Sequence, residues 1–301
     1  MDYTYMLCAR EVKGGNFIPE PGPSLYPKIP KGELPKPKHE IPQARWAKEL
    51  RAHATWGKDA RRDNQARGDL LVFVHGYNND LEIIRDRHEQ LERDLKAIGS
   101  KGALMTFCWP SDDAALNYLE DRHDAKTSAM QLVTDGIRLL SEQQTPGCTI
   151  NIHLLGHSTG AYVIREAFDD ADDSALPNSG WSISQVVFIA GDVSSVSMSE
   201  GNSSTDSLYR HCYRLTNYHS KHDSVLKLSN AKRAGMAPRV GRVGMPEDAP
   251  AKSVDVDFSE YFGLLCEDEA MQAADQLAKY GSFDHFWHIG NKVFTATCSR
   301  P

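Results

Sequence analysis

The chain has 301 residues, 40% of them hydrophobic and 25% charged, with a formal net charge of −7 and a pI near 5.9. That length can bury one large core, and the acidic balance argues against a nucleic-acid or anionic-membrane partner. Six scattered cysteines with no C-x-x-C pair exclude a zinc ribbon or a thioredoxin-like site and fit reduced thiols in a cytoplasm.

The opening stretch, MDYTYMLCAREVKGG, has neither a basic n-region nor an apolar h-region. No run approaches the ~18 apolar residues of a membrane span. The expectation is a cytoplasmic protein with no integral membrane association; signal-independent secretion stays open. Residues 3–8 read as a short strand. Residues 16–42 carry too many prolines for a helix or an inner strand and are expected to form an extended surface arm. Residues 45–66 have the composition of a basic, solvated helix. Residues 1–68 thus form an N-terminal part, and residues 69–301 a single globular unit.

From Asp69 the pattern becomes regular. LLVFVHG is a strand covered on both faces, and Ile84, His88, Leu91, Leu95 and Ile98 mark one face of a helix. ALMTFCW is the next buried strand, followed by a helical face at Met130, Val133, Ile137 and Leu140. TINIHLL is a strand and residues 159–168 a helix. QVVFIAG, HCYRLTNY and SVDVDF follow as strands, with helices over residues 267–279 and 286–294. Such alternation implies right-handed crossovers and a mostly parallel central sheet with helices on both faces, the α/β class. Only about twenty residues join Gly191 to His211, too few for a large cap domain.

At one joint the chain reads Gly156-His157-Ser158-Thr159-Gly160, between the strand TINIHLL and a helix. This is the G-x-S-x-G nucleophile elbow. The pattern alone is common; the strand before it and the helix after it make it specific. The turn forces the serine into a strained backbone conformation, while Gly156 and Gly160 let strand and helix pack without Cβ clashes. Ser158 is then held out above the sheet, and the Thr159 amide at the helix N-terminus is a natural donor to an oxyanion.

These segments resemble the α/β-hydrolase fold. They also resemble one bacterial family of predicted serine hydrolases, filed as a domain of unknown function, with HGYN, WPS and GHSxG motifs. The matching stretches are VFVHGYNND, FCWPSDD, NYLEDR, LLGHSTG, SKHDSVLKLS and DHFWH, in family order from Asp69 to Phe294. The resemblance implies that Tyr77, following His75-Gly76, donates a second oxyanion N–H. It also implies that His75 shapes that loop and that Gly76 permits close backbone approach. Chain order in that fold is Ser, then acid, then His. His285 and His288 stand in the right place for the base, with His285 favoured by DHFWH. His222 is the remaining candidate. Asp223, after HCYRLTNY, is the preferred acid, and Asp192, after VVFIAG, the alternate.

The expected activity is carboxylic-ester hydrolysis through a Ser158–His285–Asp223 triad and an acyl-enzyme, with a small-molecule acyl substrate. Lipid, thioester and amide substrates stay open. The alternatives are a non-catalytic binding protein of this fold and a lipase-like effector acting on membrane lipid. His219, His222, Asp223, His285 and His288 lack metal spacing such as H-E-x-x-H, and there is no Walker loop or G-x-G-x-x-G, so neither metal nor cofactor is expected. Arg239 and Arg242, in a loop that can border the crevice, read either as contacts for an anionic substrate group or as solvated side chains.

Overall fold

Alternation of side chains along the apolar runs decides the layers. In β5 (Gln65–Val74), Leu70, Val72 and Val74 join one core cluster and Phe73 another. β7 (Cys148–His157) divides Leu154 from Leu155 in the same way. β8 (Ile183–Ile189) divides Val186 and Phe188 from Val187 and Ile189. Residues two apart share one face of a strand, so each of these strands is covered twice. The first cover contains α1 (Gln43–Ala54), α3 (Tyr118–Gln131), α5 (Thr159–Asp173) and α6 (Ser203–His211), through Trp46, Ala129, Phe168 and Leu208. A π-helical turn, Leu132–Ile137, joins α3 to the short α4 (Arg138–Ser141). The second cover is made by α2 (Leu81–Ala97), through Leu91 and Leu95, and by α7 (Ser224–Ala231), through Leu226.

The computed structural model describes residues 2–60, 64–111, 118–141, 148–173, 182–231, 237–261, 281–282 and 285–286. Its remaining strands are β1 (Tyr3–Lys13), β2 (Asn16–Leu25), β3 (Lys28–Pro30), β4 (Thr55–Asp59), β6 (Ala103–Cys108), β9 (Cys212–His219) and β10 (Ser253–Asp257). A separate small pair is β11 (Gly281–Ser282) with β12 (His285–Phe286), and a short α8 (Val240–Val243) precedes β10. The main sheet runs β10-β9-β8-β7-β5-β6-β1-β2, with β3 on β1 and β4 on β5. Pairing is parallel from β10 through to β1; β2, β3 and β4 add antiparallel. The chain leaves β5 for β6 on one side and returns to β7 on the other, so β5 and β7 flank a topological switch point. Beyond the carboxyl ends of such strands lies the crevice of an open α/β sheet.

The fold is the α/β-hydrolase fold, as the sequence implied, with three local departures. The first strand continues to Lys13 because β2 pairs with it. Residues 16–25 are an edge strand, where Pro19, Pro21 and Pro23 cost no inner ladder bond. Residues 55–59 are not helix: α1 stops at Ala54 and β4 turns back along β5. There Trp56 Nε1 donates to Asp69 Oδ2 at 2.8 Å, and the Arg67 guanidinium lies 4.6 Å from the centre of the Trp56 ring. Cross-strand pairing thus overrides the helical composition. The helices expected over residues 267–279 and 286–294 lie outside the described residues, except Phe286 in β12. No described helix is long and apolar enough to cross a membrane.

His88 completes the packed face of α2, with Nδ1 2.8 Å from the Thr106 hydroxyl. Burial pushes its pKa from 6.5 down to about 4. A histidine whose folded value is depressed contributes stability fully above its unfolded value, and loses it as pH falls toward the folded one. Native protein should therefore lose up to about 3 kcal/mol relative to His88→Gln between pH 6.5 and 4. Denaturant midpoints of both proteins across that window measure the effect; a constant difference would refute it.

Candidate active site

At the end of β7 the chain turns into α5 through Ser158, whose φ is +53°. For a residue with a Cβ this left-handed conformation costs about 1–3 kcal/mol and persists only where neighbours enforce it. The neighbours are visible. Ser158 N donates to the Ile189 carbonyl at 3.0 Å, and its own carbonyl accepts from Asp192 N at 2.9 Å and Ala161 N at 3.1 Å. The elbow is thus pinned to the end of β8. Both glycines are sterically required. A Cβ on Gly156 would stand 2.8 Å from the Ala161 backbone, and one on Gly160 would press into the Val74 carbonyl oxygen.

Facing the elbow is the loop after β5. A Cβ on Gly76 would come 3.0 Å from Ser158 Cβ and 2.8 Å from His157 Nδ1, so only glycine lets this loop abut the serine. Asn78 takes φ +55°, a conformation asparagine tolerates, and half-buried Tyr77 lies between the two. Asn79 is buried, and its Nδ2 donates to the Gly76 carbonyl at 2.6 Å and the Tyr77 carbonyl at 2.9 Å. His75 is fully buried, with Nδ1 2.9 Å from the Gly76 carbonyl. Burial holds its pKa below the usual range, which keeps it neutral.

The Trp-Pro-Ser stretch after β6 buttresses the same loop. Trp109 stacks on His75 at 5.3 Å and donates Nε1–H to the His75 carbonyl at 2.8 Å. Ser111 Oγ donates to the Asn79 carbonyl at 3.1 Å. Arg10, buried in β1, donates Nη2–H to the carbonyls of Asn79 at 3.0 Å and Ser111 at 3.2 Å. Sequence reasoning assigned no role to Arg10, Asn79 or Trp109. Two motifs distant in sequence, HGYNN and WPS, are one structure.

On the other side, Asp223 precedes α7. Its Oδ1 accepts from Leu226 N at 2.8 Å, a cap on the helix N-terminus, and its carbonyl accepts from Arg242 Nη1 at 2.5 Å. Its Oδ2 lies 2.8 Å from Nδ1 of His285 in β12. A carboxylate only accepts, so His285 Nδ1 is the donor in this contact. Of the two acids weighed from sequence, Asp223 thus meets the histidine, while Asp192 sits in a buried ion pair with Arg239 at 3.1 Å. Arg239 and Arg242 therefore hold the two acidic segments in place. His222 is exposed. His288 lies outside the described residues.

Thr159 is buried as the first residue of α5. His157 is buried too, but it packs beside His285: the two ring centroids are 5.0 Å apart. Arg87 of α2 reaches the same place, with Nη1 3.5 Å from His157 Nδ1. Among the described residues, no group of three or more His, Cys, Asp or Glu side chains could hold a metal ion.

The profile of the family described as "Alpha/beta hydrolase of unknown function (DUF900)" matches residues 52–258. Solved structures with similarity include a phospholipase PlaB from Legionella pneumophila in complex with thio-NAD, at 14% identity and a TM-score of 0.32. The alignment covers 57% of this chain and 43% of the phospholipase, less than half its length. A putative hydrolase from Agrobacterium vitis S4 matches at 11% identity and TM-score 0.36, over 77% of this chain and 88% of its own. Est1E from Butyrivibrio proteoclasticus matches at 12% identity and TM-score 0.33, over 68% and 88%. The comparison with curated proteins found no match.

Proposed function

The chain belongs to the α/β-hydrolase family DUF900, and from that premise we propose that it is a serine hydrolase cleaving carboxylic esters through an acyl-enzyme. One observation carries the reading. Ser158 is held at φ +53° on a strand–helix turn, and the ring of its neighbour His157 lies 5.0 Å from that of His285, whose Nδ1 is 2.8 Å from a buried aspartate. A solvated surface histidine would not need such a partner.

In this mechanism His285 Nε2 takes the Ser158 proton as Oγ attacks the ester carbonyl. The amides of Tyr77 and Thr159 receive the oxyanion, and Asp223 fixes the imidazole tautomer and stabilises the imidazolium. Collapse breaks the ester C–O bond, and the leaving alkoxide takes the proton from His285. Water, deprotonated by the same nitrogen, then releases the acid and restores Ser158. The buttressed HGYNN loop supports the assignment of Tyr77, because oxyanion donors act by being fixed beforehand.

The test is labelling of the native protein with a fluorophosphonate, followed by peptide mapping. Label confined to Ser158 and absent from Ser158→Ala is the expected result. A folded native protein that takes no label would overturn the proposal and favour a non-catalytic binding role for the same fold.

A further inference from the structure

β1 ends its pairing with β6 at Cys8 and Cys108, where β6 itself stops. Two residues further on, Arg10 has passed the carboxyl end of β6 and comes alongside the Trp-Pro-Ser stretch that follows it. The ladder to β2 slips on both sides of Arg10, between Cys8 and Arg10 and again between Arg10 and Val12. Irregularities of this kind re-aim a side chain. β2 presses close at the same place, since a Cβ on Gly22 would lie 2.5 Å from the Glu11 Cα and 2.8 Å from the Arg10 carbonyl carbon. The result is an arginine only 3% exposed, whose guanidinium has only neutral oxygens as its described partners. Taking a cation out of water is costly, and an aliphatic side chain would fill the same volume without that cost.

The oxygens that this cation gathers account for its place. Arg10 Nη2 meets the Asn79 carbonyl at 3.0 Å, the Ser111 carbonyl at 3.2 Å and the Ser111 hydroxyl at 3.4 Å. The Asn79 carbonyl accepts from Ser111 Oγ as well, and the Asn79 side chain in turn holds the Gly76 and Tyr77 carbonyls. One residue, Asn79, therefore separates Arg10 from the loop that abuts Ser158. Bonds from a guanidinium are charge-assisted and stronger than neutral ones, so this end of the brace is the firm one. We infer that Arg10 is the positioning residue of loop 76–79, the loop proposed to give the Tyr77 oxyanion donor. β1, which precedes the family-matching residues 52–258, then completes the active site. The inference rests on the serine-hydrolase reading above. It adds no chemical step: Arg10 acts through Asn79, fixing before the reaction where the Tyr77 N–H stands.

The experiment measures kcat and KM for p-nitrophenyl butyrate, and inhibition by a hexyl trifluoromethyl ketone, in native protein and in Arg10→Met, Arg10→Lys and Ser111→Ala. The ketone carbon bonds to Ser158 Oγ, the serine proton passes to His285, and the hemiketal oxyanion takes the place of the reaction's own. Arg10→Met should lower kcat about 100-fold at unchanged KM, the effect of a group misplaced by about 1 Å, and weaken the ketone by the same factor. Loss of folded enzyme lowers apparent kcat but leaves the inhibition constant of the remainder alone, so the ketone separates positioning from stability. Arg10→Lys keeps the charge without the planar fork and should recover part of both. Ser111→Ala is the gentler change, with an expected loss of about tenfold in kcat and in ketone affinity, and it decides the matter if Arg10→Met does not fold. Native ketone affinity in these variants overturns the inference and leaves the hydrolase standing. Native protein that neither cleaves the ester nor takes a fluorophosphonate sinks the hydrolase reading instead, and hydrogen exchange then decides the brace. Amides of residues 76–79 that exchange about tenfold faster in Arg10→Met uphold it, and unchanged exchange there overturns it.

Discussion

Ser158→Ala is expected to lower kcat by about a million-fold, while the fold and its thermal midpoint stay close to native. The size follows from what is lost. Without Oγ no acyl-enzyme forms, and what remains is the small rate that an oxyanion site and substrate binding give to direct attack by water. Asp223→Asn should cost about 10⁴ in kcat. Its amide can hold His285 in the wrong tautomer, with Nδ1 accepting and Nε2 protonated, which removes the lone pair that takes the serine proton. The residues act as one unit, so Ser158→Ala combined with Asp223→Asn should be no slower than Ser158→Ala alone. Steady-state hydrolysis of a p-nitrophenyl ester reads all three variants. A Ser158→Ala enzyme within tenfold of native would place the nucleophile elsewhere.

The parts of this site that the sequence reveals are those encoded by local geometry. A serine between glycines two positions away on either side, where an apolar run meets a helix, describes a backbone turn directly, and Ser158 has that turn. The inner strands are equally readable, because a strand covered twice needs an unbroken apolar run. What local pattern cannot show is where long side chains reach. Arg10 braces carbonyls 69 and 101 residues away, and Arg87 reaches across 70 residues to His157. A charged residue has no period that announces its partner. Residues 55–59 show the same limit in the backbone, where a stretch of helical composition pairs instead with β5. His157 is instructive as well. Nothing in the elbow pattern shows that the ring of its second residue packs 5.0 Å from that of His285.

Gly160→Ala should be among the most damaging single-methyl additions in the chain, destabilising the protein by more than about 4 kcal/mol. The reason lies in what the new Cβ would meet. It would press on the Val74 carbonyl oxygen, 2.6 Å from the His75 carbonyl oxygen and 2.8 Å from the Val74 carbonyl carbon. All three are backbone atoms at the end of β5, where the pairing with β6 and β7 closes. None can rotate aside as a side chain does, so relief requires α5 to lift from the sheet or the loop after β5 to shift. Gly156→Ala is the informative control. Its Cβ also meets backbone, at 2.8 Å from the Ala161 Cα and N, but its third neighbour is the movable Ile164 Cδ1. The smaller loss is therefore expected there, and denaturant unfolding of both variants gives the order. If Gly160→Ala were the milder change, the elbow and the β5 loop would not be in the contact on which the whole site depends, because the same approach that excludes a methyl at Gly160 brings the Gly76 loop against Ser158.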